Sequence, residues 1–390
     1  MDTSKLIDDR YRLTDTPVSG AMGDVWPAED MKLRRPVALK FLARRRLRQG
    51  GAATDFTDWT VKRFVDEAHA MARINHPHVA QIYDTGEHDG ELYIVMEYIR
   101  GMPLTSHLKK GPTLTLERTV RWTRHICEGL AAAHACKVLH HDIKPDNIMI
   151  THQGGEVKVV DFGLASFADV TQSHTGVGTP LYKAPERWNG TPGSVRSDLY
   201  SVGCVLYEML TGRPPFGSPQ DDPMTVGRMH QDKTPAPPSA HRPGVPDQLD
   251  SIVRVLLAKE PAHRPRDAEA VAEVMRDIHS TLDFEDPADA PGTANLPDIA
   301  TGGARHSERI RDLDRLIFEL QLRFGPDDRT VIKTRAEHAE LTGRSGDVRG
   351  AAALYNRLGR DCQDFFGPYD AQALKAFTGV ARWIRRSDGQ

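Results

Sequence analysis

The run His140-His141-Asp142-Ile143-Lys144-Pro145-Asp146-Asn147 decides how this 390-residue chain is read. It places a carboxylate, a lysine and an amide within six residues, Asp142 to Asn147, and Asp161-Phe162-Gly163 follows nineteen residues after Asp142. Asp142 can accept the proton of an attacking hydroxyl, and Lys144 can neutralise charge on a phosphoryl group in transit. Asn147 and Asp161 offer hard oxygens of the kind Mg²⁺ takes together with substrate phosphate. Asp, Asn and Lys-Pro are each common in solvated turns, so the order and spacing of the two runs carry the reading.

Upstream residues extend it. Val18-Ser19-Gly20-Ala21-Met22-Gly23-Asp24-Val25 reads as a tight turn between extended stretches. Gly20 and Gly23 have no Cβ to keep a triphosphate from the backbone; an ordinary hairpin is the plain alternative. Val37-Ala38-Leu39-Lys40 alternates like a strand and ends in a lysine able to reach the α- and β-phosphates. Glu67, in a helical run from Val61 to Ile74, can orient that lysine. A Lys–Glu pair picked from a sequence is ordinarily surface charge. Here its weight comes from the order: glycine turn, strand lysine, helix glutamate, catalytic loop, metal aspartate.

With these motifs the chain resembles a bacterial Ser/Thr protein kinase of the eukaryotic-like (Hanks) type over residues 10 to 281. The run Gly178-Thr179-Pro180-Leu181-Tyr182-Lys183-Ala184-Pro185-Glu186, then Ser197-Asp198-Leu199-Tyr200-Ser201 and Arg264, also match. The resemblance implies an α+β two-lobed fold. It has a small antiparallel-sheet N-lobe over about 10–96, a hinge at 97–101 and a helical C-lobe at 102–281. It implies Asp142, Lys144, Lys40 and Glu67 as catalytic residues, with Asp142 the base and Lys40–Glu67 a pair that must form. Asn147 and Asp161 would hold Mg²⁺. ATP would lie against Val18, Gly20, Gly23, Val25, Ala38, Lys40, Met96, Glu97, Ile99 and Met149. Glu186 would pair with Arg264, and Asp198 would hold the catalytic-loop backbone from the start of a buried helix. Lys144 favours Ser/Thr over Tyr as acceptor, and Thr179 would sit beside Asp142 and Lys144. Thr171, Ser173 and Thr175, on the activation segment, are candidate autophosphorylation sites.

Two positions depart from the pattern. Val18 stands where the first loop glycine is usual, which weakens nucleotide binding modestly. His141 stands where arginine usually precedes the catalytic aspartate. That arginine binds an activation-loop phosphate through a planar, permanently charged fork; histidine has no fork and is half charged or less at neutral pH. These departures lean toward a pseudokinase scaffold that binds nucleotide and partners without phosphotransfer, whereas Lys40, Glu67, Asp142, Asn147 and Asp161 lean toward an active enzyme. A small-molecule kinase of the antibiotic-phosphorylating kind shares the fold, but Ala184-Pro185-Glu186 shapes a site for a protein chain.

Composition sets outer bounds. A formal net charge of −3 argues against a general nucleic-acid binder. The four cysteines, Cys127, Cys136, Cys204 and Cys362, show no metal-like spacing, so a reducing compartment and buried thiols are expected. Met1 to Lys5 has no signal-peptide pattern, and no run approaches the ~20 apolar residues of a membrane span. A cytoplasmic protein is the expectation.

The remaining chain reads as strands over 10–42 and 79–98, a basic loop at Arg44–Arg48, and helices at Thr115–Ala135, Ser197–Thr211, Asp247–Ala258 and Asp267–Leu282. Residues 283–304, acidic and then rich in Pro, Ala and Gly, read as a linker. Beyond it, 305–388 is helical, with Ile310, Leu313, Leu316, Ile317, Leu320 and Phe324 on one face. Phe324-Gly325-Pro326-Asp327-Asp328 recurs as Phe366-Gly367-Pro368-Tyr369-Asp370, 42 residues on. At that offset Leu316 aligns with Leu358 and Ala339 with Ala381, and the tail resembles long tetratricopeptide repeats. Two such units bury their apolar faces only against another surface. Self-docking or a protein partner is therefore expected, alongside ATP and Ser/Thr-bearing protein substrates.

Overall fold

The computed structural model describes residues 6–20, 23–41, 58–109, 114–162, 180–281, 303–325, 327–366 and 371–387. The basic run Arg44–Arg48, Gly163, Thr171, Ser173, Thr175, Thr179 and nearly all of the linker lie outside them. Strands β1 (Leu6–Ile7), β2 (Tyr11–Leu13), β3 (Val18–Gly20), β4 (Gly23–Asp30) and β5 (Arg35–Phe41) precede helix α1 (Asp58–Ala72). Then come β6 (Ile82–His88) and β7 (Glu91–Glu97). These strands form one antiparallel sheet in the order β1-β2-β4-β5-β7-β6, with β3 hairpinned onto β4. The period-2 pleat decides which side chains meet. Val37, Leu39 and Phe41 enter a cluster with Tyr11, Trp26 and Val95. Ala38 and Lys40 therefore face the other way, toward α1, where Ile94 packs with Met71 and Ile74. Helix α1 begins three residues earlier than its apolar pattern suggested.

The second lobe opens with β8 (Gly101–Pro103) and α2 (Leu104–Lys109). Helix α3 (Leu116–Ala135) follows, capped by the Thr115 hydroxyl accepting from the Arg118 N–H. Strands β9 (Ile148–Thr151) and β10 (Val157–Val159) extend β8 into a three-stranded sheet. Helix α4 (Pro185–Trp188) precedes α5 (Val195–Thr211), whose start is fixed by a reciprocal Ser194–Ser197 capping box. Thirteen of the 17 residues of α5 are buried, so it is a central helix wrapped on all sides. Around it lie α6 (Pro223–Asp232), α7 (Asp247–Leu256) and α8 (Ala268–Thr281). Cys127 and Cys204 are buried free thiols, and burial pushes both well above the ordinary thiol range. Among the described residues no helix is long and apolar enough to cross a membrane.

Four more helices follow: α9 (Gly303–Phe324), α10 (Arg329–Arg344), α11 (Val348–Phe366) and α12 (Ala371–Ser387). Helix α9 begins inside the stretch read as linker. The ends of α9 and α11, Phe324 and Phe366, and the starts of α10 and α12, Arg329 and Ala371, are each 42 residues apart. The single apolar face expected of α9 is corrected. Leu313 and Leu322 are buried, while Leu316 and Phe324 are each 44% exposed. Aligned positions are also unequal: Leu358 and Ala339 are buried, their counterparts Leu316 and Ala381 exposed. The reason is packing. Leu322 and Phe318 join the core of the second lobe, whereas the tail's own core comes from α10, α11 and α12 through Ile332, Tyr355, Leu358 and Trp383. The α9 seat is completed by the Arg254–Glu319 pair, Arg315–Asp247 at 2.8 Å and the Arg266 N–H donating to the Leu322 carbonyl at 3.2 Å.

Leu322→Ala should cost about 2–5 kcal/mol in urea unfolding of the full chain, the range for a buried leucine. Leu316→Ala, on the exposed side of the same helix, should stay within about 0.5 kcal/mol of the parent. Equal effects of the two would contradict the seat described.

Candidate active site

The loop from His140 to Asn147 hangs from one buried carboxylate. Asp198, in the first turn of α5 and 2% exposed, accepts the backbone N–H groups of His140 and His141 at 2.9 Å each. His134 Nε2, from the last turn of α3, stands 2.9 Å from the same carboxylate. Burial alone would raise the Asp198 carboxyl, but His134 and the His140 contacts outweigh it and hold it below the ordinary range. The loop needs this hold because His141 has φ +67°, a left-handed conformation that costs a non-glycine residue roughly 1–3 kcal/mol. His140 is fixed as well. Its Nε2 donates to the Val160 carbonyl at 2.8 Å, which leaves Nδ1 to accept from the Asp142 N–H at 3.3 Å.

That frame aims three functional side chains. Asp142 Oδ2 accepts from Lys144 Nζ at 2.6 Å and from Asn147 Nδ2 at 3.2 Å. Asn147 Nδ2 also donates to the Asp142 carbonyl at 2.8 Å. The amide nitrogen is thereby occupied and the amide oxygen is turned away from it. The Val160 N–H donates to the Asn147 carbonyl at 3.0 Å, bringing this turn against the chain that leads into Asp161.

Asp161 also has a left-handed backbone, φ +65°, and its carboxylate meets Lys40 Nζ at 2.8 Å. Lys40 is 2% exposed. Burial would raise the Asp161 carboxyl, but the Lys40 charge and hydrogen bond, with His140 and Lys144, bring it below the usual carboxylate range. It is ionised at neutral pH. Phe162 packs its ring 4.7 Å from that of His140 and closes the rear of the site. A cavity of only ≈ 20 Å³ remains there, between Lys40, Met71, Ile94, Met96 and Phe162.

The residues expected around a nucleotide come from both lobes. Val18 pairs in register with Val25, and Gly20 with Gly23, across the β3–β4 hairpin; Val18 is 72% exposed. Val25 faces Lys40 across β4–β5, and Ala38 faces Met96 across β5–β7. Met96 and Glu97 still belong to β7, so the irregular hinge begins one residue later than expected, at Tyr98. The Glu97 N–H donates to the Gln81 carbonyl at 2.8 Å, so an adenine contact from this residue has to use its carbonyl. Its side chain pairs with Lys158 at 2.8 Å. Ile99 and Met149 are half-buried, Met149 on β9, and Glu67 lies half-buried in α1.

Glu186 and Arg264 form a two-pronged pair, both N–O distances 2.7 Å, with Arg264 fully buried. Arg264 also donates to the carbonyls of Ala258, Lys259 and Arg196, and Ser197 Oγ donates to Glu186. Burial raises the Glu186 carboxyl, and Arg264 together with the Ser197 hydroxyl and a backbone hydrogen bond brings it below the ordinary range. Sequence reasoning passed over His134 and Arg187. A histidine at a helix end carries no motif, and Arg187 comes beside His141 only through the fold. A Cβ on Gly193 would meet His141 Nδ1 at 2.4 Å and Arg187 Nη1 at 2.8 Å.

Replacing Glu186 by Gln leaves a buried guanidinium without its counter-charge and should cost about 3–5 kcal/mol at pH 7. The folded-state carboxyl titrates below its unfolded value, so its contribution is present above the unfolded value and is lost as pH falls through the folded one. Urea unfolding of parent and Glu186→Gln should therefore draw together as pH falls from the unfolded glutamate value of about 4.3 and through the folded one.

The profile of the protein kinase domain family matches residues 18–275. Serine/threonine-protein kinase PknB of Mycobacterium tuberculosis is 39% identical over 300 residues, covering 75% of this chain and 46% of PknB. A chain named probable serine/threonine-protein kinase, from Streptomyces coelicolor, is 38% identical over 312 residues, covering 78% of this chain and 44% of its own length. The chain thus spans about half the length of the curated relatives it matches. Among solved structures, two of the Mycobacterium tuberculosis PknI kinase domain, one a mutant, superpose with a TM-score of 0.56 at 25% and 24% identity. They cover 71% of this chain and 98–99% of theirs. A sheet-built lobe and a helical lobe meeting at the Lys40–Asp161 pair, with a family match over most of the chain, lead to one conclusion: the chain belongs to the protein kinase domain family.

Proposed function

We propose that the chain is an ATP- and Mg²⁺-dependent protein serine/threonine kinase that phosphorylates itself and protein substrates. The observation that carries this reading is the paired arrangement of Asp142–Lys144–Asn147 on the Asp198 frame and Lys40–Asp161 at the lobe boundary. Asp142 accepts through one carboxylate oxygen only among the described residues, which leaves Oδ1 for a substrate hydroxyl. Lys144, 2.6 Å from that carboxylate, is placed to follow charge onto the transferred group. Positioning and charge stabilisation of this kind account for most catalysis of phosphoryl transfer. Asn147 and Asp161 suit Mg²⁺: the amide nitrogen of Asn147 is occupied, so its oxygen is the available donor, and Asp161 is ionised. The ion, when bound, neutralises and orients phosphate oxygens. Lys40 would anchor the phosphates, Glu67 would orient Lys40, and Val18, Gly20, Gly23, Val25, Ala38, Met96, Glu97, Ile99 and Met149 would line the nucleotide.

The domain reading runs from 10 to 281 for the kinase, 283 to 304 for a linker and 305 to 388 for a tail of the tetratricopeptide kind. The equal 42-residue shift of helix ends supports two copies of a helical hairpin. Burial of Leu322 supports self-docking through the first helix of the tail, and that leaves the later helices for a protein partner. Four thiols free of disulfides support a reducing compartment, the cytoplasm.

Incubation with labelled ATP and Mg²⁺ tests the activity. Lys40→Met, Asp142→Asn and Asp161→Asn should each abolish autophosphorylation while circular dichroism stays unchanged; near-normal labelling of any of them overturns the assignment. Phosphorylation at Thr171, Ser173 or Thr175 should matter little, because His141 has no guanidinium fork. Phosphatase treatment should lower peptide phosphorylation by far less than about a hundredfold, or ~2.7 kcal/mol of barrier. A loss that large, absent from Arg187→Ala, would assign the phosphate to Arg187 instead.

A further inference from the structure

Away from the active site, two imidazoles are buried face to face. His78, in the loop after α1, and His125, on α3, are 8% and 4% exposed, and their rings stack with centroids 4.0 Å apart. His76 adds a third ring, edge-on to His78 at 5.4 Å. Glu156, on the β9–β10 turn, reaches in so that one ligating atom each from His78, His125 and Glu156 lies within 4.8 Å of the others.

The hydrogen bonds show which nitrogens are available. His78 Nδ1 is 3.0 Å from the Val157 carbonyl, an oxygen that only accepts. Nδ1 therefore carries the proton and Nε2 presents its lone pair, the anchoring common to metal-bound histidines. Glu128 Oε2 stands 3.5 Å from that Nε2. His125 Nδ1 is buried and makes no hydrogen bond, although Glu156 Oε2 is 3.3 Å away. Arg124 Nη2 lies 3.2 Å from His125 Nε2. A guanidinium only donates, so Nε2 accepts here and Nδ1 carries the ring proton; a metal at Nδ1 would require that proton to move to Nε2 and the partly exposed guanidinium to swing out to water.

We propose that His78, His125 and Glu156 form a Zn²⁺ site joining the loop after α1 to α3 and the β9–β10 turn, with Glu128 or water as fourth ligand. Two imidazole nitrogens with carboxylate oxygens suit Zn²⁺. Mg²⁺ and Ca²⁺ prefer all-oxygen shells, so this site would not compete with Asn147 and Asp161 for the same ion.

The supporting backbone is already fixed. The Val159 N–H donates to the His78 carbonyl at 2.9 Å, and Trp122 Nε1 donates to the Gly155 carbonyl at 2.9 Å. Thr151 Oγ1 accepts the Glu156 N–H at 3.0 Å. Gly129 lets α3 approach the loop, since a Cβ there would meet the His78 carbonyl oxygen at 2.9 Å. Because His78 follows the helix that carries Glu67, the ion would tie the seating of α1 to the second lobe.

Metal-stripped full-length protein, without nucleotide or Mg²⁺, is titrated with ZnCl₂ against a chromophoric chelator. The parent should take up one equivalent that His125→Gln loses, and Glu156→Gln should bind at least about tenfold more weakly. Zn²⁺ should raise the melting temperature of the parent, raise that of Glu156→Gln less, and leave that of His125→Gln unchanged. Co²⁺ should give the parent a tetrahedral absorption band that the variants lack. Glu156, with its side chain half exposed, keeps the test valid if His125→Gln fails to fold. Equal Zn²⁺ uptake by the parent and Glu156→Gln, or no uptake by the parent against the chelator, would overturn the site.

Discussion

Asp198 is a carboxylate taken out of water, and three hydrogen-bond partners make its burial tolerable. An isolated buried carboxylate would be costly, and a buried loop with orphaned N–H groups would be costly too. Each offsets the other here. The compensation holds His141 in a conformation it would not choose, and the direction of Asp142, Lys144 and Asn147 follows from that backbone. The capping box at Ser194 and Ser197 fixes where α5 starts, so a local capping signal sets the position of the loop that Asp198 holds.

A second constraint works through charge. Lys40 and Asp161 come from different lobes, and their ion pair is nearly dehydrated on the lysine side. Buried pairs of this kind are seldom large net stabilisers, because desolvation offsets the attraction. What such a pair supplies is orientation: the lysine is held in one direction, and the carboxylate stays ionised. Glu186–Arg264 differs in kind. Its five-donor guanidinium is fully engaged by carboxylate and carbonyl oxygens, and it braces the segment after Pro180 against α5 without touching the reacting groups.

Much of the candidate site was legible because its residues sit in contiguous runs. Asp142 to Asn147, Asp161 and Lys40 could be singled out from local order, and the strand read over Val37 to Lys40 lies within β5, whose pleat turns Lys40 away from the sheet cluster. Contacts between distant residues were not legible. His134, Arg187 and the His78–His125 stack have no motif, since each depends on elements more than forty residues apart. The tail was read in outline and misread in detail. Its 42-residue spacing survives in the helix ends, but the face of α9 was assigned by periodicity alone, and periodicity cannot say that two different surfaces claim one helix.

That divided helix changes what counts as a domain here. The family match ends at residue 275, yet Leu322 contributes to the same apolar core as Leu199 and Ile252. The cooperative folding unit therefore extends past the catalytic homology and through α9, and α10 to α12 are grafted onto a helix that the second lobe already holds. Force or ligand energy applied to those outer helices reaches α7 and α8 through the α9 seat, as strain in the lobe itself.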